Sequence, residues 1–303
     1  MTDRRIHEMS IMLAVDGSEH SEASAKLLSD LPLQQESSIA VLAVLVPRDA
    51  SNHAVLEQAL EDTKQLLGGV KPMVKTELLT GYPAEQISEY AAKHVPDLIV
   101  LGAKGRRATL GILLGGVVQQ IVEYAEDPVL VVRAPYSGLR RILLITDGSI
   151  HSQRAADYLG RFPIPDSAEV RVMHVLPPMP SPVLIARSWP AGSEAMAPMP
   201  SYETEEMLAK QAEEEERQGN IILEETLKIL DIYGIEASSV LLRGDAATEI
   251  IEYTKGNQID LIVTGSRGLS QMRRLLLGSL SRKLVHYAGC SVLIVKGGDH
   301  DLG

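Results

Sequence analysis

Short apolar runs recur along this chain, each separated from the next by a longer stretch with apolar positions at helical spacing. Runs such as Leu98-Ile-Val-Leu-Gly102 and Val129-Leu-Val-Val132 are apolar at successive positions. That is the pattern of strands buried on both faces. In the first half it predicts strands near 11–16, 39–46, 74–79, 98–102 and 129–132, with helices near 20–30, 52–67, 84–94 and 117–125. In the second half it predicts strands near 141–147, 169–176, 236–242, 261–265 and 292–296, and helices near 151–161, 203–233, 246–255 and 279–288. Alternating strands and helices imply an α/β fold with a parallel sheet covered on both sides. Five strands per half suit two tandem doubly wound units of order 3-2-1-4-5. A ligand then belongs at the carboxyl ends of strands one and four, where the order reverses.

The chain repeats itself. Ile11-Met-Leu-Ala-Val-Asp16-Gly17-Ser18 matches Ile142-Leu-Leu-Ile-Thr-Asp147-Gly148-Ser149 at an offset of 131. Pro96-Asp-Leu-Ile-Val-Leu-Gly102 matches Ile259-Asp-Leu-Ile-Val-Thr-Gly265 at an offset of 163. The growing offset means that the second half carries an insertion, best placed at 177–216. Its first part, Pro177 to Pro200, is rich in Pro, Met and Ser and reads as a mobile loop. The turn-forming segment Pro135-Tyr-Ser-Gly138 divides the chain into units 1–136 and 137–303.

Composition narrows the class. With 303 residues, a formal charge of −11 and one Trp and one Phe, the chain is a globular protein with aliphatic cores. The negative charge opposes broad binding to nucleic acid or an anionic membrane. No apolar run is long enough to span a bilayer. The single cysteine, Cys290, cannot form an intramolecular disulfide and fits a reducing, cytoplasmic setting.

The candidate chemistry follows the first and fourth strands. Gly265-Ser-Arg-Gly268, nine residues, then Gly278-Ser279 reads G-x2-G-x9-G-S. Glycine lets a backbone approach a phosphate closely, and Ser279 opens the next helix, where free N–H groups favour an anion. The first half has the same spacing at Gly102, Gly105, Gly115 and Gly116, with glycine in place of the serine. Asp147 and Asp16 close the first strands. A carboxylate is poor company for phosphates, so Asp147 either faces a hydroxyl or amine donor or caps the following helix.

These residues resemble the universal stress protein family in its tandem form, over nearly the whole chain outside 298–303 and the insertion. The G-x2-G-x9-G-[S/T] signature with an aspartate ending the first strand is specific to it. Members that carry the signature commonly bind ATP. The resemblance implies that Asp147 and the backbone at Ile145 and Thr146 hold the adenine or ribose end, and that Val175 lines the adenine pocket. It implies that Gly265, Arg267, Gly268, Gly278 and Ser279 surround ribose and phosphates, with Ser281 as a second hydroxyl. The expected ligand is ATP, ADP or AMP, with Mg²⁺ a possible companion. A homodimer of the whole chain is implied by the resemblance alone.

The first half departs from this pattern. Ser279 corresponds to Gly116 and Ser281 to Val118. Each lost hydrogen bond to a charged phosphate would cost roughly 1.5–3 kcal/mol. Lys104, Arg106 and Arg107 either compensate in part or are solvated loop charges, and Arg273 and Arg274 read as surface charge. The expectation is a competent second site and a weakened first site built on Asp16, Gly102, Gly105, Gly115 and Gly116.

Three functional classes compete: a nucleotide-binding regulatory module, a scaffold with a vestigial site, and an enzyme hydrolysing ATP slowly. No catalytic or metal-ligating residue is identified. There is no G-x4-G-K-[ST] segment, no kinase set, and the eight histidines lack metal-ligand spacing. The last strands, Val129–Val132 and Val292–Val295, would be aggregation hazards if bare, so the halves are expected to pair through them. Met179, Trp189, Met196 and Met199 make the insertion a candidate docking strip for an unknown protein partner.

Overall fold

The computed structural model describes residues 7–106, 113–179, 202–268 and 277–297. Most of the insertion, including Trp189, Met196 and Met199, lies outside the described residues, as do Arg107, Arg273 and Arg274. The first half runs β1 (Ser10–Ala14), α1 (Glu19–Asp30), β2 (Ser38–Leu45), α2 (His53–Leu66), β3 (Met73–Thr80), α3 (Pro83–His94), β4 (Leu98–Gly102), α4 (Gly116–Tyr124) and β5 (Val129–Val132). The second runs β6 (Arg141–Ile145), α5 (Ile150–Arg161), β7 (Glu169–Leu176), α6 (Tyr202–Ile232), β8 (Ala237–Arg243), α7 (Ala246–Gly256), β9 (Leu261–Gly265), α8 (Ser279–Tyr287) and β10 (Ser291–Val295).

All these strands lie in one ten-stranded sheet of order β3-β2-β1-β4-β5-β10-β9-β6-β7-β8. Each half therefore has the expected 3-2-1-4-5 order. Every pairing is parallel except β5 with β10, which is antiparallel and joins Val131 to Val292 and Val129 to Ile294. The two bare apolar edges cover each other, and β5 and β10 are buried throughout. The outer edges need no such cover. β3 carries Lys75 and Glu77 and is largely exposed, and charged edge positions discourage further pairing.

Helices cover both faces. Alternate residues of one strand enter opposite cores: Leu98 and Val100 join α1 and α2 on one face, whereas Ile99 and Leu101 join α3 and α4 on the other. That division requires an unbroken apolar run. Both cores continue through the junction. The first takes in α5 and α6 by way of Ala156, Leu159, Leu223 and Leu230, and the second takes in α7 and α8 by way of Ile250, Leu284 and Val285.

The two strand-to-helix turns are built alike. Gly17 and Gly148 have φ of +75° and +77°, a left-handed conformation that a residue with a Cβ adopts only with strain. The serine that follows caps the helix, Ser18 accepting from Ser21 N and Ser149 from Ser152 N. Asp-Gly-Ser is thus an aspartate turn, a left-handed glycine and an N-cap in succession.

Candidate functional site

The switch points lie between β1 and β4 and between β6 and β9. At each, the aspartate ending the first strand meets the glycine loop following the fourth. Asp16 Oδ1 accepts from Ser18 N at 3.0 Å, and its Oδ2 accepts from Arg106 N, across the crevice, at 2.8 Å. Asp147 Oδ1 accepts likewise from Ser149 N at 3.0 Å. A Cβ on Gly105 would stand 2.6 Å from Asp16 Oδ2, and one on Gly268 would stand 2.5 Å from Asp147 Oδ2. Residues 90 apart in the first half and 121 apart in the second are thus brought together. Both carboxylates accept from the N–H two residues on in their own turn, and Asp16 also accepts from the glycine loop; the N-caps of the following helices are Ser18 and Ser149.

The other signature glycines have equally concrete reasons. A Cβ on Gly102 would fall 2.6 Å from the His20 carbonyl carbon, and one on Gly265 would fall 2.6 Å from His151 O. The start of the first helix of each half lies directly on the end of the fourth strand, so these glycines permit packing. Gly115 N donates to Ala103 O at 2.9 Å and Gly278 N to Ser266 O at 2.6 Å, closing each loop before α4 and α8. Neither Gly115 nor Gly278 offers a side-chain cap to the first N–H groups of its helix, and the start of α4 lines a cavity. A Cβ on Gly116 would meet nothing within 4 Å.

In the first half these pieces enclose a cavity of about 580 Å³. On the β2 side its walls are apolar, from Leu42, Val44, Val46, Leu56 and Ile87. On the β4 side lie Gly102, Lys104, Gly105, Arg106 and the helix start Gly115–Val118. Lys104 and Arg106, ambiguous in sequence, both line it. Asp49 and Asn52 also line it, and sequence reasoning missed them because nothing in a short 3₁₀ segment signals which way it faces.

The second half keeps the frame and changes what packs around the turn. Ile222 stands against Gly148 where Ala59 stands against Gly17. Beneath the crevice is a polar cluster: Thr146 Oγ1 lies 3.0 Å from Thr226 Oγ1 and 3.3 Å from Ser152 Oγ. His174 Nδ1 donates to Thr146 O at 2.8 Å. Thr146 N donates to Met173 O, so both backbone groups of Thr146 already have partners. Ile145 is buried and packs with Val175 in the core on the α7 and α8 side. Val175 is the equivalent of Val44, which lines the first-half cavity.

Ser279 is exposed at the first position of α8. Ser281 is buried, and its hydroxyl donates to Gly265 O at 2.7 Å, fastening α8 to the end of β9. The Arg267 charge reaches both His151 and Lys296, where it disfavours protonation. His151 and His20 are both held below the ordinary histidine range, by burial first and then by neighbouring cations. Cys290 lies apart from the crevices, and burial pushes its thiol up to about 12, as befits a packing residue.

Comparison with known proteins agrees with this architecture. The sequence model of the universal stress protein family matches residues 9–133 and again residues 138–296. Universal stress protein YxiE of Bacillus subtilis is 29% identical over 161 residues, covering 52% of this chain and 98% of that protein. Universal stress protein MJ0531 of Methanocaldococcus jannaschii is 32% identical over 139 residues, covering 41% of this chain and 82% of its own. The crystal structure of a universal stress protein from Archaeoglobus fulgidus shares the fold over 97% of this chain and 98% of that one, with a TM-score of 0.62 and 20% identity. No helix among the described residues is long and apolar enough to cross a membrane.

Proposed function

The chain belongs to the universal stress protein family, and we propose that it is a tandem nucleotide-binding module of the cytoplasm, acting in a stress response or in regulation. The ligand in this reading is an adenine nucleotide, ATP or its ADP and AMP forms, with one place for it in each half. The observation that carries the reading is the first-half cavity of about 580 Å³ at the switch point. Small-molecule sites enclose roughly 300–1,000 Å³ and combine apolar walls with a few polar groups. Here the β2 side suits a base. The β4 side suits phosphates, through uncapped helix N–H groups and the cations Lys104 and Arg106.

Tighter phosphate binding belongs to the second half. Ser279 adds a neutral donor where Gly116 has none, and Arg267 lies in the adjoining loop. Ser281 supports that site by holding the helix start in place, since its hydroxyl is already paired with Gly265 O. Any Mg²⁺ would arrive on the phosphates; Asp16 already accepts from Ser18 N and, across the crevice, from Arg106 N.

Isothermal titration of ATP into the full chain tests this. Two binding events are expected, with affinities differing about tenfold or more. Gly278→Val should remove the tighter event, because a Cβ there would lie 3.3 Å from Arg267 Cα and Ser266 O. Gly116→Phe, adding a ring where the cavity meets α4, should remove the weaker one. Absence of heat with ATP, ADP and AMP alike would end the nucleotide reading. Loss of the tight event in Gly116→Phe would reverse the ranking of the halves.

A further inference from the structure

Arg133 and Lys296 occupy equivalent positions in the two halves, each directly after the last residue of the junction strands β5 and β10. Each side chain crosses to the other half. Arg133 Nη2 donates to Val285 O at 2.7 Å and to His286 O at 3.2 Å, while its Nη1 donates to Leu113 O in its own half at 3.1 Å. Lys296 Nζ donates to Val122 O at 2.6 Å. Val122 and Val285 are themselves equivalent residues, in the last turns of α4 and α8.

The chemistry of the contact is specific. The last four carbonyls of a helix have no partner within it, and the helix dipole places partial negative charge there. A cation from the opposite half meets both needs. Lys296 is only 9% exposed, so its amine is fixed rather than solvated. Glu123 on α4 attracts its charge and Arg267, in the second-half glycine loop, opposes it. The same two helices begin at Gly116 and Ser279, where their free N–H groups form the phosphate side of the crevices.

We propose that Arg133 and Lys296 are positioning residues acting across the junction, each holding the crevice helix of the opposite half by its C-terminal carbonyls. Each half's ligand site is therefore shaped from the other half, and the sites communicate through α4 and α8. The communication part rests on the nucleotide reading above; the positioning part does not.

Hydrogen exchange on the full-length protein tests the positioning directly. Lys296→Met should speed exchange in α4 by about tenfold or more, as release of a local anchor does, while α8 keeps its protection. Lys296→Arg should restore it. Arg133→Met should give the mirror result, with α8 faster and α4 unchanged. Equal loosening of both helices by either variant, or loosening confined to the mutated half, overturns the proposal. ATP titration then reads the coupling. Lys296→Met should weaken the event that Gly116→Phe removes, leaving the event that Gly278→Val removes unchanged. A wild-type protein giving no heat with ATP would defeat the nucleotide reading, with the exchange pattern still deciding the positioning role.

Discussion

The two halves share a frame and differ in what they hang on it. Gly102 and Gly265 sit under a helix backbone, Gly105 and Gly268 against an aspartate oxygen, and Gly17 and Gly148 at positive φ. Each is required by a close contact within the frame or by chain geometry, whatever the crevice holds. The residues packed around the Asp-Gly-Ser turn obey no such demand. Val15, Ala43 and Ala59 in the first half become Thr146, His174 and Ile222 in the second, and an apolar contact becomes a hydrogen-bonded cluster against a longer helix, α6. A motif that survives duplication therefore marks geometry first. Specificity lies in the residues between its fixed points.

The frame can be broken directly. Gly102→Ala and Gly265→Ala should each destabilise the protein by about 3 kcal/mol, since a well-packed contact has no room for the added carbon. Denaturant unfolding of both variants should give similar losses. A loss confined to one would mean that the halves are not held alike.

The junction offers a sharper contrast. Burial, followed by the Arg267 charge, lowers Lys296 from the ordinary 10.5 to about 8. Between those values the unfolded chain binds the proton that the folded chain has released, so the stability owed to this group rises with pH across that window. The gain should reach about 3 kcal/mol at most, read as the difference between wild type and Lys296→Met. The same comparison for Arg133→Met should be flat there, because a guanidinium stays charged. A flat Lys296 curve, or one falling with pH, would refute the assignment.

Smaller effects separate the helix starts. Ser281→Val removes the buried donor to Gly265 O and should cost about 2 kcal/mol, whereas Val118→Ser in the first half should cost less than about 1 kcal/mol because the hydroxyl finds an equivalent carbonyl at Gly102. Thermal unfolding of the pair checks both. Ser18→Ala and Ser149→Ala should each lose about 1 kcal/mol of cap stability, with Ser18→Ala also losing the bond to Lys104 O.

The strands and helices were legible because local pattern decides them. A doubly buried strand has to be apolar throughout, as Leu98–Leu101 is, and a serine just before an apolar-periodic run caps the helix, as Ser18 and Ser149 do. The repeat was legible by self-comparison, whereas the 3-2-1-4-5 order was one doubly wound arrangement that five strands suit, and the structure has it in both halves. The crevice was legible in part: Asp16, Asp147 and the glycines sit where the spacing put them. The turn of Ser281 toward Gly265 O and the partnering of both backbone groups of Thr146 were not, since a hydroxyl or an amide in a sequence carries no direction.

By itself, then, the sequence determined which segments are strands and helices, that the unit occurs twice, and where each chain reversal needs glycine. These are consequences of local sterics and of which faces are buried. Only the tertiary structure decided that α6 sets Ile222 over the second crevice, that Lys104 and Arg106 face the first, and that Arg133 and Lys296 reach into opposite halves. The first two depend on how distant segments of one half pack together and the last on the pairing of the β5 and β10 edges, and no local rule contains those distances.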